Sequence, residues 1–581
     1  MSAPAAGMQV LRTLPAQAET DVVVIGAGGA GLAAALFAAL DGARVLLVER
    51  TEFVGGSTAW SAGTTWVPGT HHAARVNPAD TLAEAARYLD NAVGTYSPKA
   101  LRQAFLDHGG AAVRRIEAET DVLYRPYPKH PDYISDLEGA SLSGRALEPV
   151  PFDARQLGDL ARLVRPPIPE FTVLGGMMVD RTDINHLLGM TQSWASLRHS
   201  AGILLRHLSD RLSHPRGMRW VMGNALVGRL LLSLSRRANV TLTLQTSVTE
   251  LLRDDAGVCG VVLRCGAATC RVTARAGVVL ASGGFNRDPA LRAQRLPGID
   301  AAWCPGAPGH TGEALALARG LGARFGTDGA TDAFWAPVSI RPRPDGSRAV
   351  FPHFVMDRAK PGFITVNQAG QRFVNESTSY HLFGLGMQAA HKLGPAIPAY
   401  LICDATALRK YGVGMVRPGG KGLAPFLADG YLTEGATLDE LAHKLGVDAA
   451  GLKRSVATLN GYAETGVDPD FHRGETAYQQ NIGDATAGGR NPNLGPIATA
   501  PFYAVRLYPG DIGASTGLVT DTHARVLNAQ DQAIAGLYAL GNDMQSMMGG
   551  VYTAPGITIG PGLVFAYLAA SHLRTRVSNL G

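Results

Sequence analysis

Residues 20–25 form a β-branched run, glycines follow it, and an Ala-rich segment then extends to Leu40. A second apolar run covers 44–48, so the chain begins as strand, glycine turn, helix, strand. Helical spacing returns at 82–89 and 99–116. From 121 to 150 Tyr, Pro and Gly replace any periodicity, which predicts an ordered loop. The stretch 182–234 is helical again, with Arg198, Arg206, His207, Arg211, Arg216 and Arg219 along one side. That side reads as a solvated helix face; a basic amphipathic surface touching a membrane is the sharper alternative. Strands are predicted at 240–244, 257–263 and 278–281, the last running into Ser282-Gly283-Gly284-Phe285. After about Ala330 Pro-rich loops and polar helices take over until about Gly510. Residues 513–581 return to strand, Gly-rich turn and a final helix from about Ile559. With no internal repeat and no low-complexity linker, the expectation is an α/β protein. One domain is built from both chain ends, 1–335 and 511–581, with a second domain, 336–510, inserted between them.

Composition supports a large core. The chain has 581 residues, long for a single core, of which 46% are hydrophobic and 17% charged. Its 70 glycines exceed the usual share of roughly 7% and suit a fold that brings backbone close to a ligand. A net charge of +5 gives no reason to expect nucleic acid. Cys259, Cys265, Cys270, Cys304 and Cys403 show no C-x-x-C, haem or zinc spacing, so no metal or iron–sulfur relay is expected and the thiols read as reduced. Residues 1–20 lack the basic and apolar regions of a secretory signal. The apolar window 22–40 approaches membrane-span length, but its glycines and the acid at Glu49 fit strand–turn–helix.

Gly26-Ala27-Gly28-Gly29-Ala30-Gly31 is a G-x-G-x-x-G between that strand and that helix. Gly26 allows the tight turn, Gly28 admits a pyrophosphate, and Gly31 lets helix pack on strand. The helix N-terminus offers free N–H groups and a positive dipole end to phosphates. Glu49, at the end of the second strand, stands at the distance expected of an acceptor for ribose hydroxyls.

The sequel Gly55-Gly56-Ser57-Thr58 resembles the second glycine pair of the fumarate reductase/succinate dehydrogenase flavoproteins, which implies FAD rather than NAD. Those flavoproteins also carry a late Gly-rich return, matched by Gly541-Asn542 and by Pro555-Gly556-Ile557-Thr558-Ile559-Gly560. That return implies backbone amides and a helix N-terminus beside the electron-accepting ring. The resemblance adds Val248 and Gly283 to the cofactor contacts. Where succinate dehydrogenases attach flavin through a histidine, this chain reads Ser57-Thr58-Ala59-Trp60, so noncovalent FAD is expected.

Gly55 to Gly63, Arg372-Phe373-Val374-Asn375-Glu376-Ser377 and Tyr552-Thr553-Ala554-Pro555-Gly556 are similar to segments of the 3-ketosteroid 1-dehydrogenases, over roughly 21–570. The resemblance implies a Rossmann-like FAD-binding domain of the glutathione-reductase type with an inserted α+β substrate-capping domain. It also implies 1,2-desaturation of a 3-ketosteroid, and three tyrosines that carry it. Tyr133 lies in Pro-Asp-Tyr, ahead of Ser143-Gly144-Arg145; Tyr380 closes Asn375 to Tyr380; Tyr552 precedes Gly556 by four. A C–H beside a ketone is acidified only if donors hold the carbonyl oxygen as enolate charge develops, the role implied for Tyr552 and the Gly556 N–H. Tyr380 would be the base, with Tyr133 lowering its proton affinity, and hydride would pass to flavin N5.

The family's His-Thr-Tyr-Pro-Gly-Pro-Gly is here Gly550-Val551-Tyr552-Thr553-Ala554-Pro555-Gly556. Asp543, Met544, Met547 and Met548 replace small apolar residues, and the methionines are either core filler or an adaptable substrate wall. A ring-degraded steroid, a 5α-saturated steroid or a simple oxocyclohexane therefore stay open. A dicarboxylate reductase of the fumarate type is disfavoured because Tyr380 stands where an arginine is needed. A non-catalytic flavin carrier is disfavoured by the intact tyrosines. The expected partners are a small hydrophobic ketone and an external quinone or dye-like acceptor, in the cytoplasm or at a membrane surface.

Overall fold

The structure is a computed structural model that describes residues 7–354 and 357–578; the expectation for the first 20 residues extends over 1–6, outside that range. Val22, Val23 and Val24 are fully buried in a nine-stranded mixed sheet. Gln17–Ile25 lies parallel to Val45–Val48 on one side, with Val22 opposite Val45, and to Ala268–Leu280 on the other, with Val22 opposite Gly277. Beyond Val45–Val48 come Val240–Thr243 and Gln9–Leu11, both parallel. A strand covered on both faces must be apolar throughout, which is why the run has no alternation.

Ala268–Leu280 continues into an antiparallel meander with Gly257–Cys265 and Ser247–Asp254. At its other end Val278–Leu280 pair in parallel with Leu537–Ala539, so the C-terminal segment returns to the first sheet. The helix Gly29–Leu40 packs against the final helix Ile559–Ser578.

A second, antiparallel sheet draws its strands from 333–514, ordered Arg348–Pro352, Ala333–Pro342, Phe502–Ala514, Ala399–Asp404, Phe363–Val366. Its period-two pattern feeds two cores. Leu401 and Cys403 join Phe383 and Met387 of the helix Tyr380–Leu393, while Tyr400 and Ile402 join Leu441 and Leu452 on the opposite face.

The segment 121–150 is not only loop: Tyr124–Pro126 and Ala146–Pro149 pair with each other, and Ala146–Pro149 also pairs with Thr65–Trp66. The stretch 182–234 is three helices, Arg181–Leu188, Trp194–Arg211 and Met222–Ser235, with a strand at Arg219–Trp220. Nor do its cations line one face. Arg206 pairs with Asp153 (3.0 Å) and Arg219 with Asp183 (2.8 Å), while His207 Nε2 bonds Leu174 O (2.9 Å). Arg216 stacks over Trp220 at 4.1 Å. The outward face of Trp194–Arg211 is instead apolar, with Trp194 82% and Leu212 89% exposed and Leu197, Leu205 and Leu208 between them. Their spacing of three, eight, three and four is that of one helical stripe.

Candidate active site

A cavity of about 560 Å³ runs from the glycine turn at Gly26 to the junction of the two sheets. Gly26 sits at φ +103°, and a Cβ there would lie 2.2 Å from Ala281 O. A Cβ on Gly31 would lie 1.8 Å from Gly26 O, so that residue packs helix on strand and does not itself line the cavity. Gly28 differs: a Cβ there would meet nothing within 4 Å, because its face opens onto the cavity. Gly28 is also the N-cap of Gly29–Leu40 and supplies no side-chain cap, nor is there an acid in the first turn. Unsatisfied N–H groups beside open space are what a dinucleotide pyrophosphate requires, and the residues present fit one.

Other elements close around this end. Ala27 N–H donates to Glu49 Oε2 (2.9 Å), and Thr51 N–H and Oγ1–H donate to Oε1 (2.9 and 2.8 Å). Three of the carboxylate's roughly four acceptor positions are therefore taken, leaving room for one more donor. Gly29 N–H reaches Thr58 Oγ1 (3.2 Å), and Ala307 N–H donates to Ser57 Oγ (2.9 Å). Gly56, Ser57, Thr58, Val248, Gly283, Gly541, Asn542 and Ile559 all line the same cavity. Burial pushes His310, on the wall beside Gly283, down to about 4, so it is neutral at pH 7.

The other end is aromatic. Tyr133, Tyr380 and Tyr552 come from the 121–150 segment, the start of helix Tyr380–Leu393 and the turn before Ile559–Ser578, and all line the cavity. Tyr133 Oη donates to Tyr380 Oη at 3.2 Å. The Tyr380 and Tyr552 rings meet edge-on at 5.1 Å, and Tyr133 stacks on Tyr552 at 5.7 Å. Two anchors hold the first loop: Tyr133 N–H and Tyr88 Oη–H both donate to Thr553 O, at 2.8 and 2.5 Å. Gly556 sits at φ +90°, where a Cβ would lie 2.3 Å from Thr64 O, so only glycine lets the backbone turn here.

Burial raises all three phenols, Tyr133 and Tyr380 well above the ordinary value, and the neighbouring phenols raise those two further. Arg358, fully buried, donates to His353 O, Phe354 O, Glu376 O and Thr378 O and so fixes the chain leading into Tyr380. Glu376 is itself held by Arg372 (2.8 Å) and Arg473 (3.0 Å).

A family model described as an FAD binding domain matches residues 21–559. The 3-oxosteroid 1-dehydrogenase of Mycolicibacterium smegmatis is 36% identical over 566 residues, covering 95% of this chain and 96% of that protein. A 4-oxocyclohex-2-ene-1-carboxylate 5-dehydrogenase of Sinomonas cyclohexanicum is 39% identical over 555 residues, covering 94% and 92%. The crystal structure of 3-ketosteroid delta1-dehydrogenase from Sterolibacterium denitrificans, in complex with 1,4-androstadiene-3,17-dione, matches with a TM-score of 0.90 at 34% identity, covering 96% and 99%. The chain belongs to the FAD-dependent 3-oxosteroid 1-dehydrogenase family. FAD is its cofactor, held in an FAD-binding domain of mixed α/β structure.

Several residues of this dehydrogenase escaped the sequence reading. Tyr478 packs on Tyr133 at 4.7 Å, and Phe334 and Phe354 wall the pocket against Tyr552 and Tyr380 at 5.1 and 4.8 Å. Lys360, Arg181, His130 and Asn481 line it as well. None belongs to a motif; single residues from distant segments leave no local pattern. Met544, Met547 and Met548 are at most 4% exposed and belong to the main core rather than to the large cavity. Asp543 accepts from Ser282 N–H, Ser282 Oγ–H and Gly284 N–H, which locks the turn at the end of Ala268–Leu280.

Proposed function

We propose that the protein dehydrogenates a cyclic ketone to the conjugated enone, with 1,2-desaturation of a 3-ketosteroid as the main reading. The observation that carries it is the meeting of Tyr133, Tyr380, Tyr552 and Gly556 in one cavity with the dinucleotide glycines. Tyr552 Oη and Gly556 N–H hold the carbonyl oxygen as charge develops there. Tyr380 Oη, ionised to the phenolate with Tyr133 donating to it at 3.2 Å, takes the α-proton and becomes a neutral phenol as the charge passes to the enolate oxygen. FAD, held noncovalently at the glycine-lined end, would supply the two-electron acceptor for the hydride leaving the neighbouring carbon, with an external quinone or dye-like compound as the final acceptor. The division into FAD-binding parts 1–335 and 511–581 and a capping part 336–510 is part of this reading; the second sheet runs from Ala333 to Ala514, so both boundaries fall within its strands. A smaller oxocyclohexane or a 5α-saturated steroid stays within the same chemistry.

The test is anaerobic flavin bleaching with a panel of 3-ketosteroids and oxocyclohexanes, beside fumarate reduction by reduced viologen. Bleaching by a ketone without fumarate turnover is expected; fumarate turnover without ketone oxidation would overturn the reading. All yellow colour should leave the protein on acid precipitation, and colour kept in the pellet would refute noncovalent binding.

Location in the cytoplasm with peripheral contact to a lipid surface belongs to the same proposal. No helix among the described residues is long and apolar enough to cross a membrane. The exposed stripe of Trp194, Leu197, Leu205, Leu208 and Leu212, flanked by the exposed cations Arg198 and Arg211, suits the interface of an anionic bilayer. Co-sedimentation with phosphatidylserine vesicles should fall at least tenfold in Trp194→Ser/Leu212→Ser. Unchanged binding would remove the helix from any membrane role.

A further inference from the structure

Lys360 stands on the cavity wall. Its Nζ donates to Ile482 O (2.7 Å) and Gly483 O (2.8 Å), which leaves one N–H unused. The acids around it are committed elsewhere. Asp484 is held by Lys410 (2.7 Å) and Tyr411 Oη (2.7 Å), and Asp357 by His353 (2.6 Å). Asp180, on the cavity wall, caps its own helix and pairs with Arg125 at 3.4 Å. Arg181, also on the wall and exposed at the rim, has no ion-pair partner among the described residues, and neither has Lys360. Two further polar atoms on this wall, Asn481 Nδ2 and His130 Nδ1, are buried without a hydrogen-bond partner. An ammonium withdrawn from water and met only by neutral carbonyls is costly, and an entering anion would offset that cost.

Resting on the desaturase reading above, we propose that Lys360, Arg181 and Asn481 form a carboxylate site on the cavity wall. The substrate is then a cyclic ketone that carries a carboxylate remote from its carbonyl. The tyrosines grip the ketone while the cations fix the far end, so the acid sets which ring carbon faces Tyr380. This differs from a dicarboxylate reductase, whose cation must lie at the reacting carbon.

Burial, with Arg181 nearby, lowers Lys360 to about 8, while Asp484 and Asp357 oppose that shift and Lys410 adds to it. Acid recognition should therefore weaken as pH rises through about 8, and recognition of an ester should not.

The experiment compares 4-oxocyclohexanecarboxylate and 3-oxochol-4-en-24-oic acid with their methyl esters on the FAD-loaded enzyme. Binding is read by perturbation of the flavin spectrum and turnover by bleaching. At pH 7 at least one acid should bind roughly tenfold or more tightly than its ester. Lys360→Met should abolish that preference through KM for the acid with kcat retained, Arg181→Met should reduce it, and Lys360→Arg should keep it. If Lys360→Met does not fold, Arg181→Met at the exposed rim still decides the matter. Equal binding of acid and ester, or equal loss of both in the variants, overturns the carboxylate site and leaves the desaturase reading standing. Tight acid binding without bleaching by any ketone overturns the desaturase reading and leaves the anion site.

Discussion

The two ends of the cavity are made of different material. At the dinucleotide end the walls are main chain: Gly26, Gly28, Gly56, Gly283 and Gly541 bring amides to the surface, and Glu49 accepts from two of the backbone N–H groups around it. At the ketone end they are side chains, Tyr133, Tyr380, Tyr552, Phe334 and Phe354, delivered by five separated segments. A backbone site tolerates almost no added atom but does not depend on any one functional group. A side-chain site keeps its shape when one hydroxyl is removed, yet loses the chemistry that hydroxyl performed. The difference predicts opposite failures.

The largest effect is expected at the first end. Gly31→Ala drives a Cβ to within 1.8 Å of Gly26 O, backbone that cannot give way, so soluble flavin-loaded protein should be lost. Gly28→Ala meets no protein atom and should fold normally while holding FAD more weakly, which flavin content and a thermal melt together would show. Equal behaviour of the two variants would break the distinction between packing and ligand-facing glycines.

At the second end Tyr380→Phe should retain FAD and lower kcat by about 10³–10⁴, with loss of solvent exchange at the substrate α-carbon. Tyr552→Phe should cost about 10²–10³ in kcat, as for other oxyanion donors. Tyr133→Phe should cost roughly tenfold, as expected of a residue proposed to act through Tyr380. Any of these variants losing its flavin would show that the two ends are not separable.

A further effect concerns both ends together. Burial holds His310, beside the dinucleotide turn, at about 4 and His381, beside Tyr552, at about 3. Both folded values lie below the ordinary 6.5, so the unfolded chain takes up protons first as the solution is acidified. Stability is complete above about pH 6.5 and declines below it, by at most about 3–5 kcal/mol per histidine. A melting temperature constant from pH 7 to 4.5 would contradict this.

The dinucleotide end was legible because strand, glycines, helix and acid lie within 30 consecutive residues, each spacing fixed by local geometry. The tyrosines were placed only through resemblance, since nothing in their own neighbourhoods distinguishes them from packing residues. Hydropathy also misled in 182–234. There three short helices read as one, and the cations of Arg206 and Arg219 were assigned to a solvated face although acids from other segments, Asp153 and Asp183, hold them. The strands Tyr124–Pro126 and Ala146–Pro149 were missed because three or four residues ending in a proline are too few to show alternation.

Ala268–Leu280 reaches its parallel neighbour Ala533–Ala539 only after more than 250 intervening residues, and Gly541 and Ile559 follow that neighbour. On a ribosome adding about 5–20 residues per second, the first glycines therefore wait of the order of a minute for the last wall of their own site. A nascent chain stalled near residue 510 has its nucleotide turn but no counterpart to Asn542 or to the helix Ile559–Ser578. Flavin loading should thus wait for the segment that carries Asn542 and Ile559, and a product truncated near residue 510 is expected to emerge colourless.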